Sequence, residues 1–253
     1  MRPMCNLDHF RHLNQAVIGL DSRGYSLESG EMIEAYMRRN MFGIQPELKI
    51  YRIFQSDFLD ADIQHNRITL PAASAGFWMD PLENPLANVA GVDEVTGSYI
   101  DYGSLVRPFH ALCWTLREMA SASDWSSFSH GKPATRITTS AGKLMRRLFN
   151  RDDSSYMHRT WLVEVEYAKE DRIKALQNPT EALSRMESTG ALLALSAATV
   201  RSSFSDESEV RLLYDTSLLP RPSGVTLDES KGLVHIPFDW NDFIENSEHA
   251  SPS

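Results

Sequence analysis

Cysteine is scarce in this chain of 253 residues, which contains only Cys5 and Cys113. The two have neither metal-ligand spacing nor the spacing of a disulfide framework, so a disulfide-rich secreted scaffold is excluded and a reducing compartment is favoured. No apolar run approaches the length of a membrane span, and Asp8 and Arg11 interrupt the place where a signal peptide carries its apolar core. We therefore expect a cytoplasmic protein without a membrane partner.

Positive charge is also in short supply. The formal net charge of -9 disfavours sequence-independent binding of nucleic acid by the surface as a whole, because phosphates are repelled. Gly131-Lys132 and Gly142-Lys143 lack the spacing of a P-loop. Residues 136–151 form the most basic stretch, and with the helix start at Ser140 they can hold a phosphate. The alternative, and the more common case, is a solvated basic face.

Hydrophobic periodicity, by contrast, is well developed. Alternation with a period of two predicts strands at residues 48–54, 63–70, 106–115, 135–140, 161–167, 204–214, 225–227 and 233–236. Helical spacing predicts two helices in residues 6–41 and further helices at residues 140–149, 169–200 and 239–244. These elements predict an α+β fold, with a mainly antiparallel sheet, continuous or split, flanked by helices and preceded by a helical pair.

The chain divides into three parts. We expect an N-terminal helical appendage at residues 1–45, a single α+β domain at 46–246 and a polar tail at 247–253. Residues 86–106 are expected to form a long irregular binding loop. The second helix begins at Ser26 or Ser29 and carries an apolar stripe that needs a partner surface. This surface is the protein's own sheet, a partner protein or a second copy, and the stripe consists of Met32, Ile33, Tyr36, Met37 and Met41.

The most informative stretch is residues 204–214, read as one strand. Glu207, Glu209 and Arg211 then share one face, and the two carboxylates lie about 7 Å apart. Such a pair can act on a sugar, since one carboxylate steadies an oxocarbenium-like centre while the other steers a nucleophile. The alternative is a half-buried strand whose polar face meets water, with Arg211 pairing with one glutamate. Both carboxylates are expected on the open face of the strand.

Two further charged positions are candidates for a site. Arg52 shares a strand face with Ile50 and Phe54, so its guanidinium needs a carboxylate or a phosphate. Asp80 precedes a proline, which favours a turn. A metal site built on Asp80 and Glu83 is weakly supported without a histidine or a third acid, and we expect no metal.

Four ordered motifs resemble a family of bacterial proteins known only as a domain of unknown function. The match spans residues 48–245, and proteins of such families are often found as toxins or phage-defence effectors. Members often begin near the first motif, so residues 1–45 look like an addition. The motifs are Tyr51-Arg52; Asp80-Pro81-Leu82-Glu83-Asn84; Cys113-Trp114-Thr115 with Trp125 and the strand ending Thr138-Thr139-Ser140; and Phe204-x-x-Glu207-x-Glu209-Val210-Arg211.

The order of arginine, Ser/Thr tract and Glu-x-Glu is also similar to the arrangement in ADP-ribosyltransferases, which use NAD as a substrate. The resemblance implies that Arg52 holds the phosphates or ribose of NAD. It implies that Glu209 binds the nicotinamide ribose and stabilises the transition state, while Glu207 orients the acceptor. Thr138-Thr139-Ser140 would brace the glutamate and the nicotinamide pocket, with Thr115 as a rival for that position.

The remaining candidate residues complete this interpretation. Tyr51 and Trp125 would contact NAD, and Asp80, Glu83 and Arg211 would contact the substrate. The acceptor, protein or nucleic acid, is not identified by the sequence. Two other functions stay open. One is a non-catalytic sensor or protein-interaction module that uses residues 86–106 and the N-terminal helices. The other is a metal-dependent nuclease built on Asp80, Glu83, Glu207 and Glu209.

Overall fold

The computed structural model describes residues 7–26, 29–73, 80, 82–92, 95–150, 152–153, 155–186 and 189–250. The α-helices are α1 (Leu7–Asp21), α2 (Gly30–Arg39), α3 (Ser56–Gln64), α4 (Ala122–Ser129), α5 (Ala141–Leu148), α6 (Tyr156–Arg159), α7 (Glu170–Leu176), α8 (Pro179–Ser184) and α9 (Ala191–Ala197). Two 3₁₀ helices occupy Tyr102–Leu105 and Ser202–Glu207.

The strands are β1 (Met41–Phe42), β2 (Lys49–Gln55), β3 (Arg67–Pro71), β4 (Ala90–Val92), β5 (Tyr99–Asp101), β6 (Phe109–Thr115), β7 (Ala134–Ser140), β8 (Thr160–Glu164), β9 (Glu166–Ala168), β10 (Thr199–Arg201), β11 (Glu209–Asp215), β12 (Thr226–Asp228), β13 (Leu233–Pro237) and β14 (Asn246–Ala250). Seven of them form the main sheet, in the order β1-β8-β11-β6-β2-β7-β14, and only the β1–β8 pair is parallel. The predicted α+β fold with a mainly antiparallel sheet is confirmed.

The main sheet is nearly divided in two between β6 and β2. These strands pair at one position, Tyr51 with Thr115, whereas β2 pairs with β7 along its whole length. The backbone groups beyond this position are therefore available to side chains, because no neighbouring strand takes them up. This opening positions the candidate site described below.

Strand β11 is buried on both faces. Val210, Leu212 and Tyr214 belong to a core that also contains Trp114. Leu213 points the other way, into a second core. A strand covered on both sides exposes its polar residues only where the sheet opens. Glu209 and Arg211 lie near the β6–β2 opening, and their side chains can therefore face a cavity there.

The N-terminal helices are packed on the rest of the chain. The Ser29 hydroxyl accepts a hydrogen bond from the Met32 amide at 3.1 Å and caps α2, as one of the two proposed caps requires. Met37 lies in the core beside the main sheet, and β1 pairs with β8. The rings of Phe10 and Phe42 stack at 5.4 Å. Met32, Met37 and Met41 of the α2 stripe are thus buried within the chain itself, whereas Ile33 and Tyr36 are partly exposed. A partner protein or a second copy at this surface stays a prediction.

Two local predictions within the domain differ from the structure. Residues 204–214 are not one strand, because a 3₁₀ helix ends at Glu207 and Ser208 adopts a left-handed φ of 46° before β11 begins. Residues 86–106 are not wholly irregular, since β4 and β5 pair as antiparallel strands and a 3₁₀ helix follows. In both cases a short local element departs from the pattern read over the longer segment.

The end of the domain also differs. Residues 239–244 form turns instead of a helix, because the Asp239 carboxylate accepts from the Asn241 amide at 3.0 Å. Residues 246–250, assigned mostly to a polar tail, form the edge strand β14. Among the helices of the described residues, none combines the length and the apolar character needed to cross a membrane.

Candidate functional site

A cavity of about 260 Å³ opens where β2 and β6 separate. Its wall carries an unusual concentration of arginines and carboxylates, together with aromatic and apolar side chains. The lining residues are Tyr51, Arg52, Ile53, Glu83, Cys113, Trp114, Thr115, Arg117, Met119, Ala120, Asp124, Phe128, Arg136, Glu207, Glu209 and Arg211. The cavity therefore brings together Arg52, Glu207 and Glu209, which are far apart in the sequence.

A buried ion pair between Glu209 and Arg211 forms part of this wall. The guanidinium donates from Nε to Oε1 at 2.6 Å and from Nη2 to Oε2 at 3.1 Å, so both carboxylate oxygens are used. Glu209 is 6% exposed and Arg211 is 1% exposed, so the expectation that both glutamates lie on an open face is wrong for Glu209. The reason is that β11 is covered on both faces by packed elements.

Arg211 also connects β11 to the chain segment before β4. It donates to the Glu83 carboxylate at 3.1 Å and to the Ala197 carbonyl at 2.9 Å. Burial alone would lower the pKa of Arg211, but the negative charge of Glu209 and other neighbouring groups outweigh it and raise the pKa. Burial raises the pKa of Glu83, and the charge of Arg211 partly offsets that effect. Arg211 is therefore a fixed cation between two carboxylates.

Glu207 occupies the rim of the cavity, at the end of the 3₁₀ helix. Its side chain is exposed, and its pKa is raised by partial desolvation and then by the negative charges of Glu209 and Glu83. The turn that carries it is held in place by two hydrogen bonds. The Thr115 hydroxyl donates to the Glu207 carbonyl at 2.6 Å, and the Glu209 amide donates to the Tyr167 hydroxyl at 2.7 Å. The side chain of Glu207 is therefore exposed and that of Glu209 is buried, although the two residues are only two positions apart.

The side chain of Arg52 leaves β2 on the face of the main sheet opposite to Tyr51 and Glu209. It alternates with Ile50 and Phe54 as the sequence predicted, and its Cζ lies 4.8 Å from the centre of the Phe54 ring. Its Nη1 donates to the Cys113 carbonyl, which lies beyond the single β2–β6 pair. Its Nε is buried and has no hydrogen-bond partner among the described residues. Burial lowers the pKa of Arg52, while Cys113 and Glu209 act in the opposite direction. The guanidinium thus reaches the cavity wall through the opening in the sheet.

Tyr51 forms another part of the wall, on the same side as Glu209. The guanidinium of Arg136 lies over its ring at 4.4 Å and donates to the Arg117 carbonyl at 2.7 Å. Arg117 in turn pairs with Asp124 at 2.8 Å. These contacts fix one aromatic face and two cations around the opening.

The rim is partly apolar. Met119 is 79% exposed and Phe128 is 47% exposed, and both line the cavity. Trp125, the aromatic residue that the sequence favoured on this helix, is not among the lining residues. Phe128, three residues later on the same helix α4, is the aromatic residue that lines the cavity.

The Thr138-Thr139-Ser140 tract does not line the cavity. The Thr139 hydroxyl donates to the Phe243 carbonyl at 2.9 Å, and the Ser140 hydroxyl accepts from the Lys143 amide at 3.4 Å as the cap of α5. Thr115 is the rival considered for this tract, and its position differs. It lines the cavity and is the cross-strand partner of Glu209 in the β6–β11 pair.

Asp80 and Glu83 have different environments. The Asp80 carboxylate pairs with Arg201 at 2.7 Å and accepts from the Leu82 amide at 3.0 Å, so the predicted turn is present. Asp80 lies outside the cavity wall, whereas Glu83 belongs to it. Within the part of the chain that the structure describes, no group of three or more His, Cys, Asp or Glu side chains is arranged to hold a metal ion.

The basic stretch expected at residues 136–151 is largely neutralised. Arg146 pairs with Glu34, Arg147 with Asp239 at 2.6 Å and Lys143 with Glu245 at 3.6 Å. This arrangement favours the alternative of a solvated basic face over a phosphate site. Arg151 lies outside the described residues.

Some site residues carried no signal in the sequence. Tyr167 lies on the short strand β9 and Arg117 in a connection, so neither belonged to a recognisable motif. Arg136 was noted for its charge alone, and its stacking on Tyr51 depends on the β2–β7 register. No protein-family model, no curated protein and no solved structure matches this chain.

Proposed function

We propose that the chain is an NAD-using enzyme of the ADP-ribosyltransferase type and that the cavity at the β6–β2 opening is its active site. The observation that carries this proposal is the position of Arg52, Glu207 and Glu209 in the wall of one cavity. A toxin or phage-defence role belongs to the same proposal and rests only on the resemblance of the sequence motifs.

Glu209 is suited to stabilise positive charge. Its carboxylate is held in one orientation by Arg211 and by the hydrogen bond between its own amide and Tyr167. A preorganised charge in a poorly solvated site stabilises a developing opposite charge without reorganisation. In this proposal the nicotinamide leaves with the bonding electrons, and the cationic C1′ of the ribose forms beside Glu209.

Glu207 is suited to assist the nucleophile. It lies at the rim, exposed, and its raised pKa makes it a better proton acceptor than an ordinary glutamate. The acceptor hydroxyl or amine, or water, forms the new bond to C1′, and its proton passes to Glu207. Two carboxylates with different environments and different roles are a recurring arrangement in enzymes that act on sugars.

The cavity size limits what it can enclose. At about 260 Å³ it is smaller than a pocket for a whole dinucleotide, so we place the nicotinamide and its ribose inside. The remainder of NAD then passes Arg52 and the apolar rim. Met119 and Phe128 offer surfaces on which a flat ring can stack.

The test is release of nicotinamide from NAD by the wild type and two variants. Glu209→Gln removes the charge near C1′ and keeps the size, so turnover should fall about 100- to 1000-fold, with a smaller effect on NAD binding. Glu207→Gln should reduce transfer to an acceptor while leaving some NAD hydrolysis, because water still attacks.

Stability must be measured in parallel. Glu209→Gln breaks a buried ion pair, so the rate must be normalised to the folded fraction. Glu207→Gln changes an exposed side chain and should melt like the wild type. A wild type that neither binds nor consumes NAD would exclude the proposal.

One observation favours a second candidate, a non-catalytic sensor of a nucleotide. Both oxygens of Glu209 already accept from Arg211, and a carboxylate so occupied is typical of a structural ion pair. This candidate predicts saturable NAD binding without nicotinamide release and with equal affinity in the wild type and in Glu207→Gln.

A further inference from the structure

A second cavity, of about 520 Å³, lies at the other end of β11. Tyr214 belongs to its wall, five residues after Glu209, which is about 17 Å along a strand. Further lining residues lie between α5 and α6 and on β13: Phe149, Asn150, Asp152, Asp153, Ile236 and Pro237. Its volume is within the range of sites that enclose small molecules, and none of the three central residues of the proposed active site lines it.

Aromatic and aliphatic groups dominate this wall. The rings of Phe149 and Tyr156 meet edge to face, with their centres 4.9 Å apart and their planes at 74°. Ile236 and Pro222 face the same space. An open cavity lined mostly by rings and aliphatic groups gains most from a ligand with an apolar, preferably aromatic, body.

Two charged groups of the wall, Asp153 and Arg147, are each paired with an opposite charge, and Asp152 also belongs to the wall. Asp153 accepts from Arg159 Nε at 2.7 Å, and both side chains are buried. Arg159 also donates to the carbonyls of Leu218 and Pro220. Arg147 pairs with Asp239 at 2.6 Å. An ion entering this space would lose hydration without gaining one of these groups as a partner, so the ligand should be neutral.

One polar group in the wall needs a partner. Tyr214 is 4% exposed, and its hydroxyl is buried with no hydrogen-bond partner within the described part of the chain. Tyrosine hydroxyls in buried positions are usually hydrogen-bonded, because an unpaired one costs free energy. The hydroxyl lies just beneath the wall, so a ligand that supplies a donor or an acceptor would satisfy it after a small shift of the Tyr214 side chain.

We propose that this cavity is a binding site for a small neutral aromatic molecule that carries one hydrogen-bonding group, such as a phenol or an indole. The apolar body packs between the rings of Phe149 and Tyr156 and the aliphatic wall, and the polar group meets the hydroxyl of Tyr214. The site is independent of the proposed NAD chemistry, because its lining residues and the requirement for a neutral ligand both differ.

The test is titration of the full chain with phenol and with indole, followed by calorimetry or protein-observed NMR. Saturable binding of at least one probe is expected. Tyr214→Phe should weaken it about 2- to 12-fold, the contribution of one neutral hydrogen bond. Ser223→Trp, at an exposed position in the wall, should fill the space and abolish binding without unfolding the protein.

The unliganded variants provide an independent check. If the Tyr214 hydroxyl has no partner, Tyr214→Phe should melt no lower than the wild type, because only an unpaired polar group is lost. A clearly lower melting temperature would overturn the assignment of that hydroxyl to a ligand. Absence of saturable binding of both probes, or binding that Ser223→Trp leaves unchanged, would overturn the site itself.

Discussion

The two cavities share strand β11 but differ in the charged groups of their walls. At the first, Glu209 and Arg211 bring a buried ion pair directly into the wall, and Glu207 adds an exposed carboxylate at the rim. At the second, Asp153 is matched by Arg159 and the wall is otherwise formed largely by rings and aliphatic groups. One strand thus supports a charged site at its start and a mostly apolar site at its end.

The difference comes from what neighbours each end of β11. Near Glu209 the adjacent strand β6 is separated from β2 after one pair, so a cation from β2 can reach the same space. Near Tyr214 the cross-strand partners on β6 and β8 are His110 and Thr160, and the buried cation of that region, Arg159, is already paired with Asp153. Charge is concentrated where Arg52 of β2 reaches across to β6, since its guanidinium and the open Cys113 carbonyl satisfy each other there.

The largest effect should follow from removing the cation of the charged cavity. Arg211→Met leaves Glu209 buried without its partner, so the free energy of unfolding should fall by about 3 to 5 kcal/mol, measured by urea denaturation. Lys174→Met is the control, because the exposed Lys174–Glu170 pair contributes little to stability. Equal stability of the Arg211 variant and the wild type would mean that Glu209 finds another partner or water.

Arg52 and Arg211 differ in their hydrogen-bond partners. Arg52 donates to a backbone carbonyl, whereas Arg211 donates to carboxylates. Arg52→Met should therefore cost less stability than Arg211→Met. If Arg52 binds the phosphates of NAD, the loss of a charged hydrogen bond should weaken NAD binding by about 10- to 150-fold, measured by calorimetry. An unchanged affinity would place the phosphates elsewhere.

The sequence predicted the strands of this site better than their environment. Alternation identified β2, β6, β8 and most of β11, because a period of two is a local property. Alternation also predicted correctly that Arg52 lies with Ile50 and Phe54. It could not predict that Glu209 is buried, since burial depends on which distant elements cover a strand face.

Which residues come together in the cavity was even harder to predict from the sequence. Thr115 rather than Thr138 reaches the glutamates because β6, not β7, is paired with β11. Strand order in an antiparallel sheet is set by long-range contacts that no local pattern encodes. The 3₁₀ turn at Glu207 has a similar origin, since Thr115 and Tyr167 hold it from outside the segment.

The smallest effect concerns the pH dependence of stability at the rim. The pKa of Glu207 is raised above its ordinary value of 4.5 in the folded protein, so the folded state holds this proton more tightly than the unfolded state. Its contribution to stability is therefore fully present below about pH 4.5 and is lost as the pH rises through the higher folded pKa. Relative to Glu207→Gln, the wild type should lose stability between pH 4 and pH 7, only slightly because the side chain is exposed.

Glu170→Gln is the matched control of opposite sign, since a hydrogen bond from Lys174 lowers the pKa of Glu170 and the wild type should gain stability as the pH rises. Urea titrations at several pH values give both differences. The same sign for the two variants would mean that neither partial desolvation nor the negative charges of Glu209 and Glu83 raise the pKa of Glu207. Its role as the proton acceptor of the site would then lose its physical basis.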